Sequence, residues 1–309
     1  MKDSRFCFYI WTWKNYQVVV ERAIYAMYPE VEVHVAEDYA SKFSYDPDKY
    51  QVFAMDYQLV NHDAYPIKTY IDFELDKDPK EEFKIEPLSE MFEFLSSLKP
   101  TEQVWIQIIF RTTGASGILS RTGSDWKKRV EAEVESIRDK ASLGIGETPE
   151  TVDKDKARFP RPTWRQTEQM KAIERNLGKT PFDVGVRALY IADKVHGSFH
   201  GPTMGMLRLV WRPLGNAQYM NYLSPTRGHH IFEFPWQDVH NIRHNLVTRR
   251  YLDAYRRRSF FHHPWITPYN VMSTEVLATL YHFPSSSVAA PGIIRIPAKK
   301  AEPPQNLPK

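Results

Sequence analysis

The amino-acid sequence predicts an α+β fold of two ferredoxin-like lobes, each a split β-α-β plait, followed by a helical segment and an extended proline-rich tail. The first half alternates apolar runs and amphipathic segments in the order strand, helix, strand, strand, strand, helix, strand, helix. That order is typical of a plait, whose helices cover one face of a mostly antiparallel sheet. A stretch with glycines, prolines and mixed charges then precedes a second alternation. The predicted organisation is a first lobe at 1–141, a linker at 142–163, a second lobe at 164–284 and the tail at 285–309.

The elements of the first lobe follow from hydrophobic periodicity. Apolar residues spaced three and four apart predict helices, whereas alternating or β-branched runs predict strands. The predicted helices are 16–27, 88–98 and 126–137, and the predicted strands are 5–10, 31–35, 51–60, 69–75 and 104–111. The first helix is expected to pack one face on the sheet, and that face carries Tyr16, Val19, Val20, Ala23, Ile24 and Met27.

The same patterns define the second lobe and the tail. Helices are predicted at 164–177, 204–210, 246–258 and 274–284, and strands at 182–192 and 232–234. Proline permits neither a helix interior nor a central strand, so the tail is expected to run extended as a strap to a further folded module. The prolines concerned are Pro291, Pro297, Pro303, Pro304 and Pro308.

Composition excludes several classes of protein. The chain has 309 residues, 42% of them hydrophobic, and a net charge of +3, which favours neither nucleic acid nor an acidic partner. The one cysteine, Cys7, rules out an intrachain disulfide and indicates a reducing compartment. No apolar run reaches the length of about 18 residues that spans a bilayer. Charge is nevertheless polarised, with nine acids and three lysines at 71–93 and six arginines and one aspartate at 241–258.

Several short motifs carry a resemblance to a known family. Near the C-terminus they are Ser273-Thr-Glu, His282-Phe-Pro, Lys299-Lys-Ala-Glu-Pro-Pro and Asn306-Leu-Pro, and upstream they are Phe8-Tyr-Ile-Trp-Thr-Trp13, Ala26-Met-Tyr-Pro-Glu-Val31, Val35-Ala-Glu-Asp-Tyr39 and Val104-Trp-Ile-Gln-Ile108. With them the chain resembles the domain of unknown function that precedes the FtsK/HerA-like ATPase in type IV secretion or conjugative-transfer proteins of ultrasmall, candidate-phyla bacteria. The resemblance implies an FtsK/HerA-like ATPase domain or subunit as partner, a homo-oligomeric ring, and a cytoplasmic location at the inner face of the cell membrane. A segment upstream of Met1 would reach that membrane surface.

The motifs of catalysis are incomplete in this chain. Gly178-Lys-Thr180 has the end of a phosphate-binding loop, but Ile173 stands where such a loop needs glycine, and a predicted strand follows it instead of preceding it. A conjugative relaxase would need two histidines flanking one apolar residue, and the sequence has no such triplet. We therefore expect no enzymatic activity, no catalytic residue and no cofactor.

A histidine pair raises the alternative of a metal site. His240 and His244 are four residues apart, which on a helix would direct both imidazoles at one ion. A third ligand would have to come from elsewhere, with His229 and Glu233 as candidates. The residue after the first histidine is Asn241, so the glutamate of the zinc-protease motif is missing. Solvated or core histidines are the competing interpretation.

The basic helix at 246–258 is the strongest candidate surface. A projection at 100° per residue places Arg249, Arg250, Arg256 and Arg257 on one face around Asp253, with Tyr251, Leu252 and Tyr255 opposite. Arg258 follows, and His262, His263 and Trp265 add basic and aromatic character. Arginines of this kind bind the phosphates of single-stranded nucleic acid or anionic lipid headgroups. They also pair with acids on a neighbouring subunit.

The resemblance, together with the incomplete catalytic motifs, implies a non-catalytic accessory and assembly domain of a type IV secretion-like DNA-transfer ATPase, which positions the motor at the membrane. The alternative is a stand-alone single-strand nucleic-acid-binding module that uses a sheet face together with the arginine-rich helix. A third hypothesis is a metal-dependent hydrolase built on the histidines.

Overall fold

The computed structural model describes residues 6–28, 31–77, 86–113, 123–142, 161–197, 199–229 and 234–284. In these residues five strands form one antiparallel sheet, and eight α-helices surround it. The sheet strands are β1 Tyr50–Leu59, β2 Glu102–Thr112, β3 Pro181–Asp193, β4 Leu223–Gly228 and β7 Asn270–Ser273, while β5 Phe261–His262 and β6 Trp265–Ile266 form a small hairpin. The helices are α1 Gln17–Met27, α2 Tyr39–Lys42, α3 Ser89–Ser96, α4 Gly123–Ser142, α5 Trp164–Leu177, α6 Gly201–Leu209, α7 Ile242–Arg256 and α8 Thr274–Leu280.

Strand β3 is the centre of the sheet, whose order is β4-β1-β3-β2. On one edge β3 pairs along its length with β2, from Glu102 opposite Ala192 to Thr112 opposite Phe182. On the other edge, residues 186–193 of β3 pair with β1, and residues 181–184 pair with β7. The long apolar run of β3 is explained by this position, because a strand with partners on both edges and helices on both faces has no solvated side.

Both predicted lobes contribute strands to this one sheet. Strands β1 and β2 come from the predicted first lobe, whereas β3, β4 and β7 come from the predicted second lobe. The boundary at 142–163 therefore does not separate two sheets. Its sequence marks a long connection within one sheet, since β3 needs the first-lobe strands on both edges to satisfy its backbone groups. The helix α3 lies in the connection between β1 and β2, and β3 lies between these two strands and runs antiparallel to both.

Helices cover both faces of the sheet. On one face α3 and α6 place residues such as Phe92 and Leu207 against Met55 and Tyr190. On the opposite face α7 packs over Val52, Ala54, Leu189 and Ile191. The helices α4 and α5 form a third cluster, which consists mainly of Trp126, Val130, Val134, Ile137, Ile173 and Val271.

Local sequence sets where several helices begin. The Thr163 hydroxyl accepts from the backbone N–H of Gln166, and the Gln166 side chain accepts from the backbone N–H of Thr163 at 2.8 Å, which forms a capping box at the start of α5. The Ser273 side chain accepts from the backbone N–H of Val276 at the start of α8, and the Asp38 side chain accepts from that of Ala40 at the start of α2. Gly178 ends α5, so that Gly178-Lys-Thr180 is a turn leading into β3.

All of the predicted helices are confirmed, as are the predicted strands at 51–60, 104–111 and 182–192. Three predicted strands are wrong. Residues 6–10 and 31–35 belong to no strand, and 69–75 forms turns in which the backbone N–H of Thr69 donates to the Asp72 carboxylate at 2.8 Å. In the first case Phe6 and Phe8 make edge-to-face ring contacts with Phe92 instead of ladder bonds. The proline-rich tail, residues 232–233 and most of the predicted linker lie outside the described residues.

Helix α1 forms where the sequence predicts it, but it does not bury the predicted face. None of its residues is fully buried. Tyr16, Val19 and Met27 of the predicted inner face are exposed, whereas the half-buried positions are Gln17, Val20, Glu21 and Ile24. The helix therefore rests on the body through a side that is partly polar.

Candidate functional site

Helix α7 is held in place by its inner face. Tyr251, Leu252 and Tyr255 are buried against sheet residues that include Val52 and Leu189. At its beginning, the Asp238 carboxylate accepts from the backbone N–H groups of Arg243 and His244 at 2.8 and 2.9 Å. These are donors that the first turn of a helix leaves unpaired. Desolvation opposes the charge on Asp238, but these N–H bonds prevail and lower its pKa.

The outer face of α7 is basic and partly apolar. Arg249, Arg250 and Arg257, hereafter the arginine face, are all exposed. Arg257 forms an ion pair with Asp253 at 2.8 Å. Among the described residues no ion-pair partner is found for Arg249 or Arg250. The prediction that this helix buries one face and presents arginines on the other is therefore confirmed for these three residues.

Arg256 and Arg258 do not belong to that free surface, which corrects the predicted set of five arginines. Arg256 donates to the backbone oxygens of Ala40, at 3.0 Å, and Phe43. Arg258 pairs with Asp38 at 3.2 Å. Although burial opposes it, hydrogen bonds from Ser41 and Arg258 lower the pKa of Asp38. Both arginines thus attach the α2 segment to α7, because unpaired backbone oxygens and a carboxylate there need donors.

An exposed aromatic pair stands beside the beginning of α7, and sequence analysis missed it. The rings of Phe234 and Trp236 stack with centroids 4.6 Å apart and planes at 10°. Trp236 is 71% exposed, and the nearby apolar residues Ile242 and Leu246 are exposed as well. The Phe-Pro-Trp sequence at 234–236 could have indicated this pair, since proline between two aromatic residues disfavours the strand predicted at 232–234.

Trp265, by contrast, is not available to a ligand. Its side chain is 7% exposed, and its Nε1–H donates to Asp56 at 3.1 Å. His262 and His263, which the sequence grouped with it, are exposed. The aromatic and basic partners predicted after α7 are therefore split between the core and the surface.

The Asp56 carboxylate beneath Trp265 belongs to a fully buried ion pair. Arg187 Nε donates to Asp56 at 2.9 Å, and both side chains have 0% exposure. Arg187 also donates to the Ser259 carbonyl at 3.0 Å and to Gln107 at 3.5 Å. Aromatic rings surround the guanidinium, namely those of Tyr251, Phe260 and Trp265. These partners satisfy the two charges, so the cluster holds β1, β3, α7 and the hairpin together.

The two histidines of the predicted metal pair do not lie on one α-helix. His240 lies in a 3-10 turn before α7 with φ at 54°, so the helical i, i+4 geometry does not apply to it. The His244 ring packs on the His229 ring at 4.4 Å, and burial lowers the pKa of His244. His229 Nδ1 accepts from the Ala54 N–H at 2.9 Å, and its Nε2 lies 2.9 Å from the Thr248 hydroxyl. Glu233 lies outside the described residues, among which no group of three metal-ligating side chains occurs.

The sheet face that the nucleic-acid alternative required is also covered. Helix α7 lies over one face, and α3 and α6 lie over the other. Any single-strand contact would therefore have to use the outer face of α7 and the Phe234–Trp236 pair. A sheet-based platform is excluded for the central strands, because their side chains are buried.

Comparison with known proteins gives one match. A family model described as a domain of unknown function (DUF8128) matches residues 4–200, a range that includes α1 and β3 and ends before α7. No curated protein and no solved structure matches the chain. Of the helices in the described ranges, none combines the length and apolar character needed to cross a bilayer.

Proposed function

Because the chain belongs to the family described as a domain of unknown function (DUF8128), whose description assigns no activity, we propose its function from the resemblance of its motifs and from its own surface. The domain is a non-catalytic accessory and assembly module of a type IV secretion-like DNA-transfer ATPase. It positions an FtsK/HerA-like motor at the inner face of the cell membrane. The sheet order β4-β1-β3-β2, with α3 and α6 on one face, further supports the proposal that its core is a single ferredoxin-like plait.

The observation that carries this proposal is the arginine face. A helix that is fixed to the sheet by its inner face presents guanidinium groups at a defined place, so little ordering is needed when a partner binds. Arg249 and Arg250 have no ion-pair partner among the described residues. Arginine is also the cation best suited to pairing with carboxylates across an interface.

The same chain offers a complementary surface. Asp72, Glu74 and Asp76, hereafter the acidic turn, are exposed. Glu74 is paired with Lys77 at 2.7 Å, and Asp72 lies 3.9 Å from Arg175. The acidic turn of one copy would contact the arginine face of the next. Such a head-to-tail contact uses two different surfaces, and it generates a ring if the rotation closes.

A charge swap in the full chain tests this assembly. Changing Arg249 and Arg250 to glutamate should abolish self-association in sedimentation velocity at low ionic strength, because acids would then face acids. Adding Glu74→Lys and Asp76→Lys should restore it. The control Lys128→Glu with Arg165→Glu changes the charge equally at exposed positions of α4 and α5 and should leave assembly intact. Unchanged self-association in the first variant would contradict the contact.

The assignment to a motor has its own test. The DNA on either side of this reading frame should encode an ATPase with the motif Gly-x-x-x-x-Gly-Lys-Ser/Thr, in frame or in an adjacent gene. Co-expression of that ATPase should give a hexamer whose formation requires the arginine face. Finding neither an in-frame nor a neighbouring motor would overturn the assignment, whatever the self-association result.

Single-strand nucleic-acid binding is the second candidate, and the Phe234–Trp236 pair favours it. Stacked, exposed rings beside arginines are the elements with which proteins hold unpaired bases without sequence preference. Trp236→Ala should weaken binding of a labelled oligonucleotide by about 1–3 kcal/mol. Trp164→Ala removes a similarly exposed tryptophan, which lies on α5, and should have no effect. Absence of binding at low salt, where phosphate contacts are strongest, would remove this candidate.

A further inference from the structure

The exposed apolar side of α1 is a surface that the assembly proposal leaves unused. Val19 and Met27 are 62% and 76% exposed, and Tyr16 and Val18 are also open to solvent. On a helical projection Tyr16, Val19, Ala23 and Met27 form one continuous arc. A contiguous apolar patch of this kind marks an interaction surface.

Two exposed tryptophans precede this helix. Trp11 and Trp13 precede the helix, their rings lie 5.7 Å apart, and both are exposed. Tyr25 and Tyr28 lie at the other end of the segment, and both are also exposed. Tryptophan and tyrosine combine an apolar ring with a polar edge, and for that reason they are enriched where lipid headgroups meet acyl chains.

The exposed charged side chains of residues 11–28 are basic. Lys14 and Arg22 are exposed, whereas Glu21 is half-buried and accepts a hydrogen bond from Gln17 at 2.8 Å. At the C-terminal end of α7, the Arg258 guanidinium lies 5.1 Å from the Trp11 ring. The exposed charges of this segment are therefore basic, which complements a negatively charged surface.

The segment is attached firmly enough to orient the body. Phe8 makes edge-to-face ring contacts with Phe92 of α3 and with Phe283 after α8, and Tyr9 packs on Tyr39 of α2. These contacts reach helices on both faces of the sheet. A surface bound by α1 would thereby fix the orientation of the whole sheet.

We propose that α1, with Trp11 and Trp13, is an interfacial helix that docks on an anionic lipid bilayer. Its apolar arc enters the boundary between headgroups and acyl chains, while Lys14 and Arg22 contact the headgroups. This inference rests on the membrane placement in the proposed function, and it assigns that placement to described residues. A two-fold contact with a second copy is disfavoured, since it would bring the basic residues of one α1 towards those of the other.

Vesicle flotation of the full chain tests the inference. Wild-type protein should float with vesicles of phosphatidylcholine and phosphatidylglycerol, and more weakly with phosphatidylcholine alone. Val19→Asp combined with Met27→Asp should lower partitioning at least about tenfold, because each change places a charge in the apolar arc. Leu209→Asp is the matched control, since Leu209 is 60% exposed on α6, and this variant should bind like wild type. Lys14→Glu with Arg22→Glu should weaken binding only when phosphatidylglycerol is present.

Several outcomes would overturn the inference. These are no flotation of the wild-type chain, equal flotation of the α1 variant, or a change of oligomeric state in that variant without lipid, which would identify a second copy as the occupant. Self-association is scored on the same samples. An α1 variant that leaves the vesicles but still assembles, together with an Arg249→Glu, Arg250→Glu variant that floats but does not assemble, would separate the two functions. Assembly without flotation would refute the lipid surface and leave the assembly role standing.

Discussion

Asp56 and Arg187 form an ion pair from which solvent is excluded, with hydrogen bonds to Trp265, Ser259 and Gln107. Desolvation of two charges offsets much of their attraction, so such a pair contributes little net stability while both partners are present. Removal of one partner lowers the free energy of unfolding strongly, because the remaining charge stays buried without its counter-charge. The pair therefore specifies how the hairpin and α7 sit on the sheet.

Arg187→Met should consequently lower the free energy of unfolding by about 3–5 kcal/mol, measured by urea denaturation. Adding Asp56→Leu should recover part of that loss, since it removes the unpaired carboxylate. Arg138→Met, which breaks an exposed pair with Glu174, should cost at most about 1 kcal/mol. A loss below about 1 kcal/mol for Arg187→Met would mean that the buried pair does not exist.

His282 and Glu86 link the end of α8 to the residues before α3. The His282 Nε2 atom contacts the Glu86 carboxylate, and the side chains are 20% and 6% exposed. Burial alone would lower the pKa of His282, but the hydrogen bond and charge of Glu86 outweigh it and raise that pKa above 6.5. A raised histidine pKa means that the folded state binds the proton more tightly than the unfolded state.

The stabilisation by the His282–Glu86 pair is therefore complete below pH 6.5, and it is lost as the pH rises through the raised pKa of His282. His282→Gln should destabilise the protein more at acidic than at alkaline pH, measured as urea midpoints across that range. In a Glu86→Gln background the same substitution should show no such pH dependence. An equal loss of stability at all pH values would contradict the linkage.

At the scale of elements, the arginines at 249–258 have two roles that the sequence does not distinguish: some attach α2, and others lie on the surface. They look equivalent in a helical projection of α7, yet Arg256 and Arg258 bind the α2 segment while Arg249 and Arg250 remain on the surface. The projection could separate the buried side from the solvent side. It could not show that residues 38–43, far away in sequence, lie along one border of the helix.

Arg256→Ala should therefore release α2 without unfolding the sheet. Its two bonds end on backbone oxygens, so we expect a loss of about 1–3 kcal/mol and faster hydrogen exchange confined to residues 38–43. Arg257→Ala removes an exposed pair on the same helix, so it should lower the free energy of unfolding by at most about 1 kcal/mol. Hydrogen exchange at residues 38–43 should stay unchanged in this variant. Unchanged exchange in the first variant would show that other contacts hold α2.

At the scale of the whole molecule, the sheet joins distant parts of the chain. Strand β3 has a partner from the first half on each edge, and β7, close to the end of the described residues, extends one of those edges. Neither half can then complete its backbone hydrogen bonds alone. The chain is expected to fold as one cooperative unit over these strands.

Separate expression of residues 1–142 and 161–309 tests this expectation. Each piece alone should lack a cooperative thermal transition, whereas the mixture should regain one. Circular dichroism and size-exclusion chromatography would register both results. A first piece that folds by itself would restore the interpretation as two independent lobes.

Sequence alone determined the local elements of this protein. Periodicity located the helices and the three longest strands, capping residues set several helix starts, and the inner side of α7 followed from its apolar spacing. These features depend on neighbours within a few residues. Sequence failed at 5–10, 31–35 and 69–75, where apolar or alternating residues serve ring contacts and turns instead of a ladder.

Tertiary structure decided everything that depends on which segments meet. It placed β3 between β1 and β2, paired Arg187 with Asp56, moved Trp265 into the core and left His240 outside the helix that carries His244. It also turned the apolar arc of α1 outward, although the same pattern predicts a packed helix. The physical reason is that periodicity shows that a face is apolar, whereas the available partners decide whether the protein body or another surface covers it.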